Sequence, residues 1–445
     1  MALSSKQLRR NRIFYGFGVV GTTIFDTFIG SFLTLFATDV LGLDALYFAS
    51  LLIAPKIVDI AIDFFIMYFI GKTRTRFGMY RPWLLNMIAM VVALITIFSV
   101  PFLNVGRTAM LSIIVIAYFA CNSICSSFYW ISYKAMPGVM TENENELIRL
   151  SSTKTIFEYI FSIVASALTM PILLSFGRYE GDYRNPTGWL AAALIFGGFS
   201  LISSLLCFAF VRTDAELERK MTGEYSARDV FSDYKNVFSD KGFLAITSLL
   251  FLTYLATYTN QTVSYYYYIC NLGIEDIISY IMLLAAVFAV FASVMTGKLH
   301  ERFGLKHTLI IGAVSLIISA VCMMVAYSVW MVIVMGFFQV VGTTILTTLI
   351  FSLWPVVAKN LNPEKVRSPL NSTVGASNVF GNFGIILGNT LGAALVTFSR
   401  YNAELPVQDC FTLKVFRYST PAITIVLSAV MIAVVLRSNR KGTVE

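Results

Sequence analysis

Apolar residues run in long blocks, near or above twenty residues each, closed by charged or Gly/Pro turns. That length lets an α-helix cross a hydrocarbon core of about 30 Å, and it is too long for strands or surface helices. The pattern predicts twelve membrane-spanning helices, at 13–38, 45–71, 82–103, 108–136, 151–176, 187–211, 242–269, 273–297, 307–327, 329–355, 369–397 and 418–437. The expected fold class is therefore an all-α integral membrane protein. Of its 445 residues 57% are hydrophobic and 13% charged, with a mean hydropathy of +0.74, which agrees with that reading.

The formal net charge of +8 would fit a nucleic-acid binder, but its distribution points to a membrane instead. Lys and Arg gather at alternate loops and at both ends of the chain. The other set of loops holds only Arg107, Arg178, Arg184, Arg400, Lys414 and Arg417. By the positive-inside rule both termini are cytoplasmic, in a multi-pass protein of the plasma membrane. The opening MALSSKQLRRNRIFYGFG has the basic character of a signal peptide. No small-residue cleavage site follows and Asp26 interrupts the apolar run, so an uncleaved first helix is expected.

An internal repeat sets the architecture. Gly71 opens GKTRTRFG after the second span, and Gly297 opens GKLHERFG after the eighth, about half the chain later. The shared pattern G-K-x-x-x-R-F-G divides the protein into two pseudo-symmetric six-helix halves, 1–211 and 242–445, joined by a charged cytoplasmic linker, 212–241. Within the repeats, Gly71, Arg74, Arg76 and Gly78, and Gly297, Arg302 and Gly304, are candidates for a conformational role, because glycine permits a tight turn and arginine clamps helix ends. Gly381, Gly384, Gly388 and Gly392 recur along one face of the eleventh span, as close helix packing requires.

Charges inside the spans supply the candidate chemistry. Lys56, Asp59 and Asp63, spaced three and four apart, share one helix face. At about 1.5 Å per residue, Asp59 and Asp63 lie about 18 and 12 Å from Gly71, well inside the membrane. A buried charge there costs roughly 2.5–3.5 kcal/mol, so these groups need partners, water or a cavity. One reading is a cation site at Asp59 and Asp63 in which Lys56 compensates when the ion leaves. The other is a static ion pair with a neighbouring helix, which leaves the second acid surplus. Asp26, Lys134, Lys154 and Glu158 also belong to the first half. The second half carries amides and aromatics instead, among them Gln339, Asn378 and Asn382. Tyr129 and Tyr133 suit either stacking on a sugar ring or the interfacial aromatic belt.

Other chemistries lack their residues. The cysteines fit neither disulfide nor zinc patterns, and His300 and His307 flank a cytoplasmic turn, where solvated loop residues are expected. The chain contains no Gly-framed nucleophile and no G-x-x-x-x-G-K-[ST], so neither an enzyme nor an ATP-driven pump is expected.

The repeated loop resembles that of the major facilitator superfamily. Within it the chain is similar to the glycoside-pentoside-hexuronide:cation symporters, on Tyr15–Gly18, Thr38–Leu43, the D-x-x-x-D of Asp59 and Asp63, and Gly71–Trp83. The resemblance implies the major facilitator fold and a coupling cation held by Asp59 and Asp63 with the hydroxyl of Ser126. The family's amide before the second carboxylate is Ile62 here. Losing one oxygen ligand harms a sodium ion more than a proton, so proton coupling is favoured and sodium at Asp59 and Asp63 stays the alternative. The family's sugar-site residues fall on Thr23, Tyr129, Tyr133, Lys154 and Gly381, so most of its charged groups are changed. Thr22, Thr23, Asp26, Tyr129, Tyr133, Lys154, Asn378 and Asn382 are the substrate candidates. A glycoside, a glucuronide or a related organic solute is the expected substrate of a symporter working by alternating access. A proton-driven exporter of amphiphiles is the alternative. No cofactor, nucleic acid or second subunit is expected.

Overall fold

The computed structural model describes residues 4–43, 48, 51, 53–179, 182–221, 227–274, 278–362, 365–401 and 408–439, without side chains at 5, 53–61, 64, 227–229, 265, 278, 279, 282, 438 and 439. No strand occurs among them. The α-helices are α1 (Ser5–Asp39), α2 (Ile53–Lys72), α3 (Asn86–Ser99), α4 (Arg107–Phe119), α5 (Ser126–Ala135), α6 (Glu144–Ser175), α7 (Pro186–Phe210), α8 (Ala215–Met221), α9 (Ala227–Val237), α10 (Lys241–Tyr266), α11 (Ile278–Val325), α12 (Val329–Asn360), α13 (Pro369–Phe398) and α14 (Cys410–Asn439). A π-helical segment, Ala120–Cys125, joins α4 to α5. Among the described residues ten helices are long and apolar enough to span a membrane. One of them, α11, holds two spans, and α2 supplies the remaining one of the expected twelve.

Several helices begin one or two turns before the apolar window, because capping governs the start and hydropathy does not. Ser4 and Gln7 form a reciprocal capping box ahead of α1. Asn143 accepts the Glu146 N–H at 3.2 Å at the start of α6, where Glu144 and Glu146 also favour the helix dipole. Asp409 accepts both the N–H and the hydroxyl of Thr412 ahead of α14, at 2.8 and 2.6 Å.

The two copies of the repeat differ in backbone path but share their last glycine. Gly78 takes φ +92° in a turn between α2 and α3, its N–H donating to the Thr75 carbonyl at 3.1 Å. Gly304 takes φ +74° and is the one non-helical residue inside α11. The arginine of each copy stacks on its phenylalanine: Arg76 lies 4.7 Å from the Phe77 ring centre and Arg302 5.3 Å from that of Phe303.

The chain divides into two compact units that depart slightly from chain order. Unit 1 contains Met1–Glu142, Phe157–Asp233 and Arg367–Gly375; unit 2 contains Asn143–Ile156, Tyr234–Val366 and Ala376–Glu445. In unit 1 an aromatic core of Phe28, Phe36, Phe98 and Trp189 ties α1, α3 and α7 together, with Phe36 and Phe98 4.7 Å apart. Small residues let α1 and α7 approach closely, since a Cβ at Gly21 would meet the Ser200 carbonyl at 2.7 Å. In unit 2 the glycine face of α13 packs on α10. A Cβ at Gly384, Gly388 or Gly392 would come within 2.9, 2.9 and 2.5 Å of atoms of Phe251, Tyr258 and Thr262.

Candidate functional site

The first-half site is built on α2. Asp63 is fully buried, 0% exposed, near the middle of this twenty-residue apolar helix. The backbone of α2 places Asp59 one turn before it and Lys56 nearly two turns before; the side chains of Lys56 and Asp59 lie outside the described residues. The α2 helix packs on the π-helical segment and on α5. Aromatic rings fix that contact: Trp83 stacks on Phe128 at 4.3 Å, Phe69 reaches the same ring at 6.1 Å, and the indole N–H of Trp83 donates to Thr73 at 3.1 Å. Ser126, 6% exposed, is the first residue of α5 after the π segment. An inserted π turn displaces backbone carbonyls from the regular ladder, and such turns concentrate at functional sites. Asp26, exposed on α1, lies within electrostatic reach of Cys121 in the same segment.

Four neighbouring candidates divide by their hydrogen bonds. The hydroxyl of Thr22 is spent on the Val19 carbonyl at 2.9 Å. That of Thr23 is buried and, among the described residues, has no hydrogen-bond partner. Tyr129 and Tyr133 are both 0% exposed, with hydroxyls donating to the carbonyls of Gly18 and Tyr15 at 2.6 and 2.7 Å. Tyr133 also stacks on Tyr15 at 4.3 Å, interplanar angle 5°. Here the two rings are buried and pack α5 against α1. The absence of Cβ at Gly18, where it would meet the Tyr133 ring at 2.6 Å, is what admits Tyr133.

The remaining candidates belong to unit 2. Lys154 on α6 lies over the Phe351 ring of α12 at 5.2 Å. Asn378 and Asn382 sit half-buried, one turn apart on α13. The α6, α12 and α10 helices also present threonines that sequence reasoning missed. Thr155 meets Thr348 and Thr257 meets Thr343, each with oxygens 3.4 Å apart. Their signal was the run Gly342–Leu349, GTTILTTL, whose hydroxyls recur at helical spacing inside an apolar span. Gln339, one turn before Thr343, buries an Oε1 that has no hydrogen-bond partner among the described residues.

The histidines also depart from expectation. His307 is exposed, with a ring nitrogen 2.9 Å from the Phe303 carbonyl. His300 is helical and only 11% exposed, its Nε2 3.7 Å from a Glu144 carboxylate oxygen, so it is not a solvated loop residue. It stands on the helical segment before the break at Gly304, with Glu144 of α6 against its ring.

Residues 14–439 match the family described as MFS/sugar transport protein. The chain is 22% identical over 408 residues to the putative glycoside/cation symporter YagG of Escherichia coli, covering 90% of this chain and 85% of that one. It is 24% identical over 286 residues to the isoprimeverose transporter of Lactiplantibacillus pentosus, covering 64% of this chain and 57% of that protein, under two thirds of its length. The solved proton:xylose symporter XylE, bound to 6-bromo-6-deoxy-D-glucose, superposes with a TM-score of 0.69 at 14% identity over 96% of each chain, a likeness of fold.

Proposed function

Because the chain belongs to the MFS/sugar transport family of membrane transporters, we propose that it is a cation-coupled symporter of a glycoside or related organic solute, with the proton as coupling ion. The carrying observation is Asp63. A carboxylate fully buried in a membrane helix is stable only when an ion, a proton or a paired cation neutralises it. A charge that must be neutralised, on a helix packed against a π turn, is a state-dependent element of the kind that couples an ion gradient to a second ligand. Asp59 contributes the second carboxylate and the buried Ser126 hydroxyl a third oxygen. Ile62 supplies no oxygen where a sodium site would use one, which favours the proton.

The solute is held by Thr23, Asp26, Lys154, Asn378 and Asn382, joined by Gln339 and the threonines of α6, α10 and α12. The names of the relatives YagG and the isoprimeverose transporter support a glycoside. Proton binding shifts the population toward the solute-competent state, and the halves 1–211 and 242–445 then alternate access. Both termini face the cytoplasm and the working unit is a monomer.

The test is uptake of glycosides and glucuronides by proteoliposomes under an imposed pH gradient. Wild type accumulates its solute against a gradient. Asp63→Asn loses accumulation while exchange of solute across the membrane persists. Uphill transport by Asp63→Asn would remove the cation assignment.

A further inference from the structure

The turn after α2 and the first linker helix enclose a second feature that transport chemistry does not use. We propose that it is a binding site for a phosphate group, carried by a lipid headgroup or by a soluble phosphate. The cavity encloses about 590 Å³ and is lined by Arg74, Arg76, Arg81, Arg212, Arg219 and Glu218. Five arginines and one carboxylate thus contribute to its lining. That carboxylate accepts the Met79 N–H at 2.5 Å and lies against Gly78, where a Cβ would meet its Oε2 at 2.9 Å.

The cationic wall is held in place. Arg81 is 5% exposed and donates to the Phe208 carbonyl from Nε at 3.1 Å and also from Nη2. The rings of Phe208 and Phe77 flank its guanidinium at 5.3 and 5.9 Å. One carbonyl engages one edge of a fork that carries five N–H donors. Arg212 is anchored through its backbone, whose N–H and carbonyl pair with the Asn11 side chain at 3.0 and 2.7 Å, and its own side chain is exposed. Arg74, Arg76 and Arg219 are exposed as well. Arg81 and Arg212 act on each other as like charges, and an anion relieves such repulsion. Guanidinium forks match phosphate oxygens in a way that lysine ammonium groups do not.

Depth points to the same ligand. Arg81 begins the apolar span Arg81–Phe102, and Arg212 stands just past the end of Pro186–Phe210. The cavity therefore opens where hydrocarbon gives way to headgroups, on the side where basic residues concentrate. Its volume holds a glycerophosphate headgroup with room to spare.

The experiment uses the purified full-length protein and measures direct binding of dioctanoyl phosphatidylglycerol, dioctanoyl phosphatidylcholine and inorganic phosphate. Binding of phosphatidylglycerol without inorganic phosphate identifies a lipid source; binding of inorganic phosphate identifies a soluble one. Either way, Arg212→Gln with Arg219→Gln weakens binding about tenfold or more, as loss of charge-assisted bonds requires. Glu218→Gln strengthens it several-fold, and Lys235→Gln, which removes an exposed charge elsewhere on the linker, leaves it unchanged. Arg219→Gln alone, on the exposed face of α8, weakens binding with no burden on folding. The proposal is overturned if neither anion binds, if the arginine variants bind as wild type does, or if Lys235→Gln weakens binding equally.

Discussion

The hydroxyl of Tyr80 donates to Oδ1 of Asn371 at 2.6 Å, and both side chains are buried within unit 1. Asn371 in turn donates to Ser368 at 2.9 Å. The same end of α13 is held from the linker, where the buried Asp233 accepts the N–H groups of Arg367 and Ser368 at 3.1 and 3.0 Å. The turn of the first repeat and the linker therefore converge on residues 367–372, which precede and open α13.

Tyr80→Phe leaves the Asn371 oxygen buried without that donor and is expected to destabilise the protein by about 1–3 kcal/mol. A cycle with Asn371→Ala, read by thermal unfolding, should return a coupling of about 0.5–3 kcal/mol. Strict additivity would mean that the bond contributes nothing.

Ion choice is expected to turn on position 62. Ile62→Asn adds an amide oxygen beside Asp63 and should bring sodium-stimulated uptake. Sodium at concentrations that leave wild-type uptake unchanged should stimulate the variant, since one added contact of about 1.4 kcal/mol raises affinity about tenfold. Uptake by Ile62→Asn that still ignores sodium at every concentration would show that this position does not set the ion.

The two repeat glycines should fail differently. At Gly304 a Cβ meets open space, so Gly304→Ala carries only the strain of a positive φ with extended ψ, about 1–3 kcal/mol. At Gly78 the strain of a positive φ adds to a clash with Glu218, whose retreat would cost its bond to the Met79 N–H. Thermal stability should rank wild type above Gly304→Ala and Gly304→Ala above Gly78→Ala. The reverse order would contradict the geometry of the turn.

The spans and the repeat were legible in the chain because the bilayer leaves the backbone few choices: every N–H and C=O must be satisfied within a helix, so hydropathy alone marks the crossings. The repeat was legible because a positive φ at Gly78 and Gly304 demands glycine, and the same residue recurs for the same reason. The buried acid at position 63 announced itself as charge in an apolar run. Side-chain partners were not legible in the same way. An intramembrane tyrosine reads alike whether its ring lines a cavity or fills a core; only the contacts of Tyr129 and Tyr133 with Gly18 and Tyr15 decide. A threonine within a hydrophobic stretch carries no mark of the hydroxyl it will meet, so Thr155 beside Thr348 came from packing. The basic cavity likewise joins Arg74 and Arg81 of one turn to Arg212, more than a hundred residues later, brought together by the packing of α7 on α3. Local sequence determined where this chain crosses a membrane and where it turns, because those choices rest on solvation and backbone conformation; which side chains meet was decided by tertiary packing, because that depends on residues far apart in the chain.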